Sequence, residues 1–280
     1  MNALSGRTAL ITGATDGLGR AVAERIAAEG ATVLLHGRDR GRLDAAARQV
    51  GDAAGSGEVR TFLADLAELS QVRRLAAEVR ESTDTLNILV NNAGIGSGLP
   101  DKRERQESAD GYELRFAVNY LAPFLLTLEL LPLIEASAPA RIVNVASIGQ
   151  YPIDFDDVMI ERGYDGQRAY AQSKLAQIMS GFELAARLPA DRVTVNSLHP
   201  ATFMPTKIVT QERGSTVDEL RTGTDATLRL AASPDLDGVT GRYYEWQQEA
   251  RANAQAYDPD ARRRLWKLSI DLTGAPEPRT

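Results

Sequence analysis

The sequence predicts a single α/β domain built on a doubly wound, mostly parallel sheet. Short aliphatic runs alternate with amphipathic helical patterns along the chain, as in successive strand–helix units. The aliphatic runs lack regular polar alternation, which is expected when helices cover both faces of the strands. At 280 residues the chain could also hold two small domains, but no Pro- or Gly-rich linker and no internal repeat divides it. One domain over residues 1–280 is therefore expected.

Seven strands are expected in this sheet, at residues 8–12, 32–36, 59–63, 86–91, 140–146, 192–198 and 241–245. Helical patterns fill the intervals, for example residues 18–29, after which Gly30 would end the helix. Ligands bind beyond the carboxyl ends of the strands in such sheets. Two surplus segments that emerge there, residues 148–167 and 200–225, are therefore expected to flank a substrate. Residues 96–110 and the tail over residues 246–280 are further surplus.

The composition excludes several classes of protein. With 43% hydrophobic and 25% charged residues the chain is neither disordered nor collagen-like, and without cysteine it has no disulfide, thiolate metal site or cysteine nucleophile. A net charge of -6 argues against nucleic acid as the main partner, because duplex binding needs a basic face.

No targeting or membrane segment is expected. The most apolar stretch, residues 121–134, is shorter than the roughly 20 residues of a membrane span, so it predicts a buried core helix. The N-terminus lacks the apolar core of a signal peptide. We therefore expect a cytoplasmic protein without a membrane span.

A glycine-rich turn, TGATDGLG at residues 12–19, follows the first strand and opens the first helix. Glycines let the backbone turn tightly and approach a pyrophosphate, whose charge a helix N-terminus stabilises. A tight strand-to-helix turn without a ligand would use similar glycines, but the position between strand and helix favours dinucleotide binding. The expected nucleotide contacts in this turn are Gly13, Thr15, Asp16, Gly17, Leu18 and Gly19.

The end of the second strand, His36-Gly37-Arg38-Asp39, distinguishes the two nicotinamide cofactors. An acidic side chain here would bind the ribose 2′-hydroxyl of NAD, whereas an arginine suits the 2′-phosphate of NADP. Arg38 therefore predicts NADP(H), with NAD less favoured. The alternative is a solvated arginine that Asp39 neutralises.

Tyr170 and Lys174 stand at positions i and i+4, which places them on one face of a helix. A nearby ammonium favours the phenolate, so Lys174 is expected to lower the pKa of Tyr170 and make it a practicable acid/base. Ser147 closes the fifth strand at the same end of the sheet and could bind a carbonyl oxygen. Asn119, in an apolar helix, needs hydrogen-bond partners, and it could also be purely structural. The expected catalytic set is Asn119, Ser147, Tyr170 and Lys174.

In this order, these motifs resemble the short-chain dehydrogenase/reductase family, a Rossmann-type fold. The resemblance covers residues 5 to 245 approximately and includes the sequence NNAG at residues 91–94. Residues 110–121 (DGYELRFAVNYL), 154–157 (DFDD) and 164–166 (YDG) resemble more narrowly the retinol-dehydrogenase-like subgroup.

The resemblance implies hydride transfer between NADP(H) and a carbonyl or alcohol. In this scheme Tyr170 exchanges the proton, Ser147 orients the carbonyl, Lys174 also holds the nicotinamide ribose, and Asn119 holds a water that links Lys174 to solvent. The further cofactor contacts implied are Asp65, Leu66, Asn91, Ala93, Gly94, Pro200 and Thr202. The sequence departs from the family where Ala201 replaces a common glycine after the sixth strand, and neighbouring His199 is expected to be structural. The resemblance also implies a homodimer or homotetramer that forms through the helices carrying Asn119 and Tyr170.

The surplus loops suggest a hydrophobic carbonyl or alcohol as the small-molecule substrate. The apolar residues expected to line its pocket, some of which could belong to the core instead, are Ile148, Tyr151, Phe203, Met204, Ile208 and Trp246. A second hypothesis is a catalytically idle NADP-binding sensor or scaffold. The complete catalytic set favours the enzyme.

Overall fold

A computed structural model describes residues 3–98, 104–212 and 214–278. Eight strands form one sheet, in the order β3-β2-β1-β4-β5-β6-β7-β8. They are β1 (Thr8–Ile11), β2 (Thr32–Gly37), β3 (Val59–Leu63), β4 (Ile88–Asn91), β5 (Ala140–Val145), β6 (Val193–His199), β7 (Tyr243–Glu245) and β8 (Gln248–Ala250). The first seven strands are parallel, and β8 pairs antiparallel with β7. The predicted doubly wound α/β class is confirmed.

The helices connect these strands and flank the sheet. They are α1 (Gly17–Ala28), α2 (Arg40–Ala53), α3 (Leu69–Ser82), α4 (Leu114–Phe116), α5 (Ala122–Ala136), α6 (Gly166–Ala185), α7 (Lys207–Glu212), α8 (Leu220–Ala232) and α9 (Pro259–Thr273). A π-helical turn, Ala117–Leu121, joins α4 to α5. Part of the polar segment predicted as surplus, residues 99–103, lies outside the described residues.

Two apolar cores lie on opposite faces of the sheet. One contains side chains of α3, α5, α6 and α9, and the other contains side chains of α1, α2 and α8. Strands between two such layers are buried on both faces, which explains their continuous aliphatic sequence. The strand order reverses between β1 and β4, and ligands bind beyond the carboxyl ends of the strands at such a reversal.

The eighth strand was not predicted from the sequence. β8 has only three residues, Gln248 and Glu249 are exposed, and no aliphatic run marks it. It forms because Trp246 adopts a left-handed conformation (φ 53°) that turns the chain back along β7. Its register therefore depends on a turn and not on a hydrophobic pattern.

The helical stretch Leu114–Ala136 is long and apolar enough to cross a membrane by length and composition, alone among the described residues. However, 83% of its most apolar window is buried inside the fold. It packs between α3 and the C-terminal half of the molecule, as the sequence predicted for a core helix.

The C-terminal helix α9 packs on the same side of the molecule. The Trp266 ring meets Phe124 of α5 edge-on, with ring centroids 5.0 Å apart. The Tyr120 hydroxyl shares a 2.5 Å hydrogen bond with Ser269, and α9 also lies along α6. The homo-oligomer expected through the helices of Asn119 and Tyr170 stays a prediction.

Candidate active site

The glycine turn is joined to the turn after β4 by Thr12 and Asn92. The Thr12 hydroxyl accepts hydrogen bonds from the backbone N–H groups of Asn92 and Ala93, both at 3.0 Å. The Asn92 amide donates to the Thr12 carbonyl at 2.8 Å. The sequence analysis did not select Asn92, although the doubled asparagine after a strand was a visible signal. These bonds hold the two predicted cofactor-binding turns side by side.

The backbone of the first turn requires its glycines. Gly13 has a φ of 65°, and a Cβ added there would lie 2.8 Å from the Cα of Ala93. Gly17 has a φ of 50°, and a Cβ on Gly19 would overlap the Gly13 carbonyl. The α1 helix begins within this motif, at Gly17, whose N–H donates to the Asp16 carboxylate at 2.7 Å. An open backbone at a helix N-terminus fits the pyrophosphate of a dinucleotide.

His36 hydrogen-bonds the backbone of the glycine turn, a role that was not predicted from the sequence. Its Nδ1 accepts from the Gly13 N–H at 3.3 Å, while Nε2 donates to the Ala64 carbonyl at 3.0 Å. Burial lowers the pKa of His36 to about 4, so the ring is neutral at pH 7. A neutral imidazole can accept from one turn and donate to the next, which links the ends of β1, β2 and β3.

The predicted cofactor-selecting arginine lies at the surface after β2. Arg38 is exposed and makes no ion pair or hydrogen bond within the described part of the chain. Asp39 does not neutralise it, because the Asp39 carboxylate caps α2 by accepting from the Arg42 N–H at 2.8 Å. The Arg42 guanidinium instead pairs with Asp16 at 3.0 Å. Arg42 thereby adds a second cation beside the glycine turn that the sequence analysis had not singled out.

Three more predicted nucleotide contacts, Asp65, Leu66 and Asn91, lie at the ends of β3 and β4. Asp65 stands half-buried after β3, where its carboxylate accepts from the Ala67 N–H at 3.0 Å, and the adjacent Leu66 is buried in the core. The Asn91 amide points away from the crevice, because it donates to Thr127 at 3.0 Å and to Asn144 at 2.9 Å in the core. The sequence could place Asn91 at the strand end but not orient its side chain.

Ser147 and Tyr170 meet beyond the carboxyl end of β5. The Ser147 hydroxyl accepts from the Gly149 N–H at 3.1 Å and lies close enough to the Tyr170 phenol to lower the pKa of Tyr170. Lys174 is buried one helical turn after Tyr170, with its Nζ 5.9 Å from the centre of the phenol ring. This Nζ donates to the Val145 carbonyl at 2.8 Å. The structure therefore brings together three of the four predicted catalytic residues.

The electrostatics of this group differ from the prediction. Burial raises the pKa of Tyr170, the Ser147 hydrogen bond opposes that rise, and the negative charge of Glu212 adds to it. Lys174 was predicted to lower the pKa of Tyr170, but its ammonium is directed at Val145, so burial of the phenol dominates. Burial also lowers the pKa of Lys174 to about 8, which leaves the amine mostly protonated at pH 7.

Asn119 has a positioning role in this structure. Its Oδ1 accepts from the Ile95 N–H at 2.8 Å, and its Nδ2 donates to the Ile95 carbonyl at 3.1 Å and to Ser173 at 3.0 Å. Because both amide hydrogens are used, the side chain fixes Gly94 and its turn against the helix that carries Lys174. The side chain of Asn119 thus has protein partners, as the structural alternative requires, and the water expected at Asn119 stays a prediction.

Comparison with known proteins identifies the family. A family model described as "short chain dehydrogenase" matches residues 7–216. The chain belongs to the short-chain dehydrogenase family. It is 37% identical to retinol dehydrogenase 14 of Homo sapiens over 97% of this chain and 87% of that protein. This relative places it in the retinol-dehydrogenase-like subgroup, an oxidoreductase group that interconverts alcohols and carbonyls.

Two solved structures extend the comparison. An uncharacterized protein from Mycobacterium paratuberculosis matches 99% of this chain and 97% of its own, with a TM-score of 0.77 and 32% identity. A short chain dehydrogenase from Shigella flexneri complexed with NADP matches 88% of this chain and 99% of its own, with a TM-score of 0.70 and 26% identity. The first match includes the C-terminal part that follows the family model.

In this dehydrogenase the loop after β6 is held by a carboxylate. Asp218 accepts from the Thr202 N–H at 2.7 Å and from the Trp246 indole at 3.0 Å. His199 shares a hydrogen bond of 3.1 Å with the Thr202 hydroxyl, its ring meets Trp246 edge-on, and burial lowers its pKa to about 4. His199 is therefore the packed histidine that was predicted. Buried Pro200 and half-buried Thr202 lie where the cofactor contact was expected.

The α7 helix closes one side of the dehydrogenase's catalytic group. Glu212 accepts from the Ser97 hydroxyl at 2.8 Å and from the Gly98 N–H at 2.7 Å. Of the predicted pocket residues, Ile148, Tyr151 and Ile208 are exposed on the two loops. Met204 and Trp246 pack with a core cluster instead. Among the described residues, no group of three or more His, Asp or Glu could hold a metal ion.

Proposed function

We propose that this dehydrogenase interconverts a carbonyl and an alcohol on a hydrophobic small molecule, with NADP(H) as cofactor and Tyr170 as the acid/base. The observation that carries this proposal is the proximity of the Ser147 hydroxyl and the Tyr170 phenol beside the glycine turn, with Lys174 buried behind them. This arrangement brings a proton donor, an oxyanion-type donor and a dinucleotide cradle to one end of the sheet.

The residues have distinct tasks in this reaction. When bound, the nicotinamide supplies the hydride in reduction and accepts it in oxidation. The Ser147 hydroxyl donates to the substrate oxygen and holds it beside the Tyr170 phenol. In reduction Tyr170 gives its proton to the developing alkoxide, and in oxidation it removes the hydroxyl proton. The raised pKa keeps the Tyr170 phenol protonated near neutral pH, which is the form that donates in reduction.

Lys174 serves this site as a buried cation. Its Nζ stays between the Val145 carbonyl and Gln177, whose amide oxygen lies 3.5 Å away. A pKa of about 8 allows the amine to hold a proton at pH 7 yet exchange it readily. We propose that it returns the proton to Tyr170 after each turnover and holds the nicotinamide ribose.

Arg38 supports the choice of NADP(H). Its guanidinium is exposed without an ion pair among the described residues, while neighbouring Asp39 is occupied as a helix cap. Gly37, directly before Arg38, packs against Thr15 of the glycine turn, and a Cβ at position 37 would overlap the Thr15 side chain. A free planar cation next to a phosphate-binding turn suits a 2′-phosphate better than a 2′-hydroxyl.

The substrate class is supported by the surface around Ser147. Among the described residues, the large exposed apolar side chains include Ile148 and Tyr151 on one substrate loop and Ile208 and Val217 on the other. Apolar groups exposed at a binding site favour an apolar ligand. The name of the relative, retinol dehydrogenase, agrees with a hydrophobic alcohol.

The proposal also covers location and partners. The acidic net charge supports a protein without a nucleic-acid partner, and burial of the apolar core helix supports the cytoplasmic location. A homodimer or homotetramer remains part of the proposal. Its interface is proposed to form through the helices that carry Asn119 and Tyr170.

Tyr170→Phe tests the central assignment. We expect at least a hundredfold loss of kcat with a panel of hydrophobic ketones and aldehydes, because general acid catalysis contributes about 10²–10⁴-fold. NADPH binding, measured by fluorescence, should stay within twofold. Tyr244→Phe is the matched control, since its hydroxyl makes no hydrogen bond within the described residues. Full activity of Tyr170→Phe would refute the acid/base role, and a wild-type protein that binds NADPH without turnover would favour the sensor or scaffold.

Arg38→Ser tests the cofactor. A charge-assisted hydrogen bond contributes about 1.5–3 kcal/mol, so the variant should lose roughly tenfold to a hundredfold in kcat/KM for NADPH and little for NADH. Arg40→Ser, which removes an exposed arginine paired with Asp44, is the control. Equal losses with both cofactors would exclude Arg38 as the 2′-phosphate ligand.

A further inference from the structure

We propose that the C-terminal segment Ala252–Tyr257 positions the catalytic Ser147, through the contact of Asn253 with Gln150 and that of Gln255 with Ile153. This inference rests on the proposed function, because it assigns the tail a task in the same reaction. It goes beyond that function, since none of these residues belongs to the expected catalytic or cofactor-binding set. The geometry is a chain of hydrogen bonds from the tail to the backbone of the serine.

The backbone of Ser147 is held by two side chains. Its carbonyl accepts from the Gln150 amide at 3.0 Å and from the Tyr243 hydroxyl at 3.1 Å. Together with the Gly149 N–H on its hydroxyl oxygen, these bonds fix both the backbone and the side chain of the serine.

Gln150 connects this serine to the tail. While its Nε2 donates to Ser147, its Oε1 accepts from the Asn253 N–H at 2.7 Å. Because the oxygen and the nitrogen of the Gln150 amide each have a partner, the amide is held in one orientation. The Asn253 N–H binds the oxygen and so keeps the nitrogen toward the Ser147 carbonyl. The tail contact therefore orients the donor that holds the Ser147 carbonyl.

Gln255 binds the same loop a few residues further on. Its Oε1 accepts from the Ile153 N–H at 2.6 Å, and its Nε2 donates to the Ile153 carbonyl at 3.1 Å. This paired contact imitates the hydrogen bonding of a neighbouring strand. It satisfies both backbone groups of Ile153, whose side chain is buried in the core. Gln255 thus fixes the loop between Ser147 and α6.

The segment is itself anchored to the helix that carries Tyr170 and Lys174. The Tyr257 ring packs against Phe182 of α6, with ring centroids 5.5 Å apart, and its hydroxyl accepts from the Ala252 N–H at 3.0 Å. Arg262 of α9 donates to the Ala256 carbonyl at 3.0 Å and pairs with Glu183 of α6 at 3.3 Å. The tail therefore bridges the helix that carries the acid and the loop that carries the serine, and sets their relative position.

Gln255→Ala tests the inference in the full-length protein. The loss of one or two hydrogen bonds should lower kcat about fivefold to tenfold, while KM and the Kd for NADPH change less than twofold. Because the Ser147 contact holds the pKa of Tyr170 down, the midpoint of the pH–rate profile should also move to higher pH. A purely structural role would lower the amount of folded protein and leave this midpoint unchanged. Gln248→Ala, at an exposed glutamine on β8, is the matched control.

A second measurement separates failure of the inference from failure of the proposed function. Amide hydrogen exchange of residues 148–158 should be about tenfold faster in Gln255→Ala than in the wild type, whether or not a substrate is turned over. Unchanged hydrogen exchange in Gln255→Ala would overturn the inference alone. So would an unchanged kcat in Gln255→Ala, provided that the wild type is active and Ser147→Ala is inactive. A wild type inactive on all carbonyls would overturn the proposed function, and the exchange result would still decide whether the tail holds the loop.

Discussion

At the scale of single residues, this protein keeps two imidazoles neutral inside the fold. His36 and His199 are 2% and 6% exposed, and burial lowers the pKa of each to about 4. The His36 ring makes hydrogen bonds that join two turns at the site, and the His199 ring hydrogen-bonds Thr202 in the loop after β6. Their protonation should therefore weaken the folded state and the cofactor-binding turn together.

We expect the stability of the protein to fall as the pH is lowered from 6.5 toward 4. In this range the unfolded imidazole, with a pKa of about 6.5, binds a proton that the folded one excludes, so the unfolded state gains protons. At pH 5 each histidine should cost roughly 2 kcal/mol. Urea unfolding between pH 4 and 8 measures this slope. His36→Gln should remove about half of it, and an identical slope in the variant would contradict the buried neutral histidine.

Glu212 offers a second prediction at this scale. The pKa of Tyr170 is raised by burial, against the opposing Ser147 bond, and further by the charge of Glu212. Glu212→Gln removes the charge but keeps an amide oxygen for Ser97 and Gly98, so the pKa of Tyr170 should fall. The midpoint of the pH profile for alcohol oxidation should then move to lower pH.

Asp235→Asn, at an exposed carboxylate of the 3-10 turn Pro234–Leu236, is the control for the Glu212 variant. It should leave the profile of alcohol oxidation in place. A midpoint for Glu212→Gln that stays unchanged or moves to higher pH would show that Glu212 does not act on Tyr170 through its charge.

At the scale of elements, a buried ion pair fastens the first substrate loop to α4. Glu113 and Arg115 are 1% and 2% exposed, and the Tyr164 hydroxyl accepts from Arg115 at 2.8 Å and donates to Glu113 at 2.9 Å. Arg115 also donates to the Gly96 carbonyl at 3.1 Å. This cluster closes the far end of the loop whose near end is held by Gln255.

Glu113→Ala should destabilise the protein by about 3–5 kcal/mol, because it leaves a buried guanidinium without its counter-charge. Glu58→Ala, at an exposed pair with Arg60, should cost about 1 kcal/mol or less. Thermal and urea unfolding measure both variants. If both variants lost a similarly small free energy of unfolding, the buried Glu113–Arg115 pair would not be important for stability.

At the scale of the whole molecule, α9 ties the C-terminus to the core. Trp266 packs on Phe124 of α5 and lies under the Arg187 guanidinium, 4.2 Å from the ring centre. It joins α9 to α5 and to the segment that follows α6. The tail from residue 246, whose task the sequence left undefined, is thereby part of the main core and of the active-site support.

Trp266→Ala should lower the free energy of unfolding by about 3–5 kcal/mol, because a large ring is removed from a packed interface. The exposed apolar surface should also promote self-association, which size-exclusion chromatography with light scattering would detect. Lys267→Ala, at the neighbouring exposed lysine paired with Asp271, should change neither property. Unaltered stability of Trp266→Ala would show that α9 is only loosely attached.

Most of the fold and the outline of the site were predictable from local patterns. The strand–helix alternation located β1 to β7, and the i, i+4 spacing placed Tyr170 and Lys174 on one side of α6. β8 and the supporting roles of His36 and Asn92 were not predicted. These depend on a backbone turn or on partners far away in the chain, which neither propensity nor spacing records.

The sequence by itself determined the doubly wound sheet, the glycine turn and the order of the catalytic residues, because each depends on neighbours along the chain. Only the tertiary structure decided the direction of the Tyr170 pKa shift, the structural use of the Asn119 amide and the attachment of the tail to Ser147. These three properties arise from burial and from hydrogen bonds between segments distant in sequence. Such contacts exist only after the chain has folded.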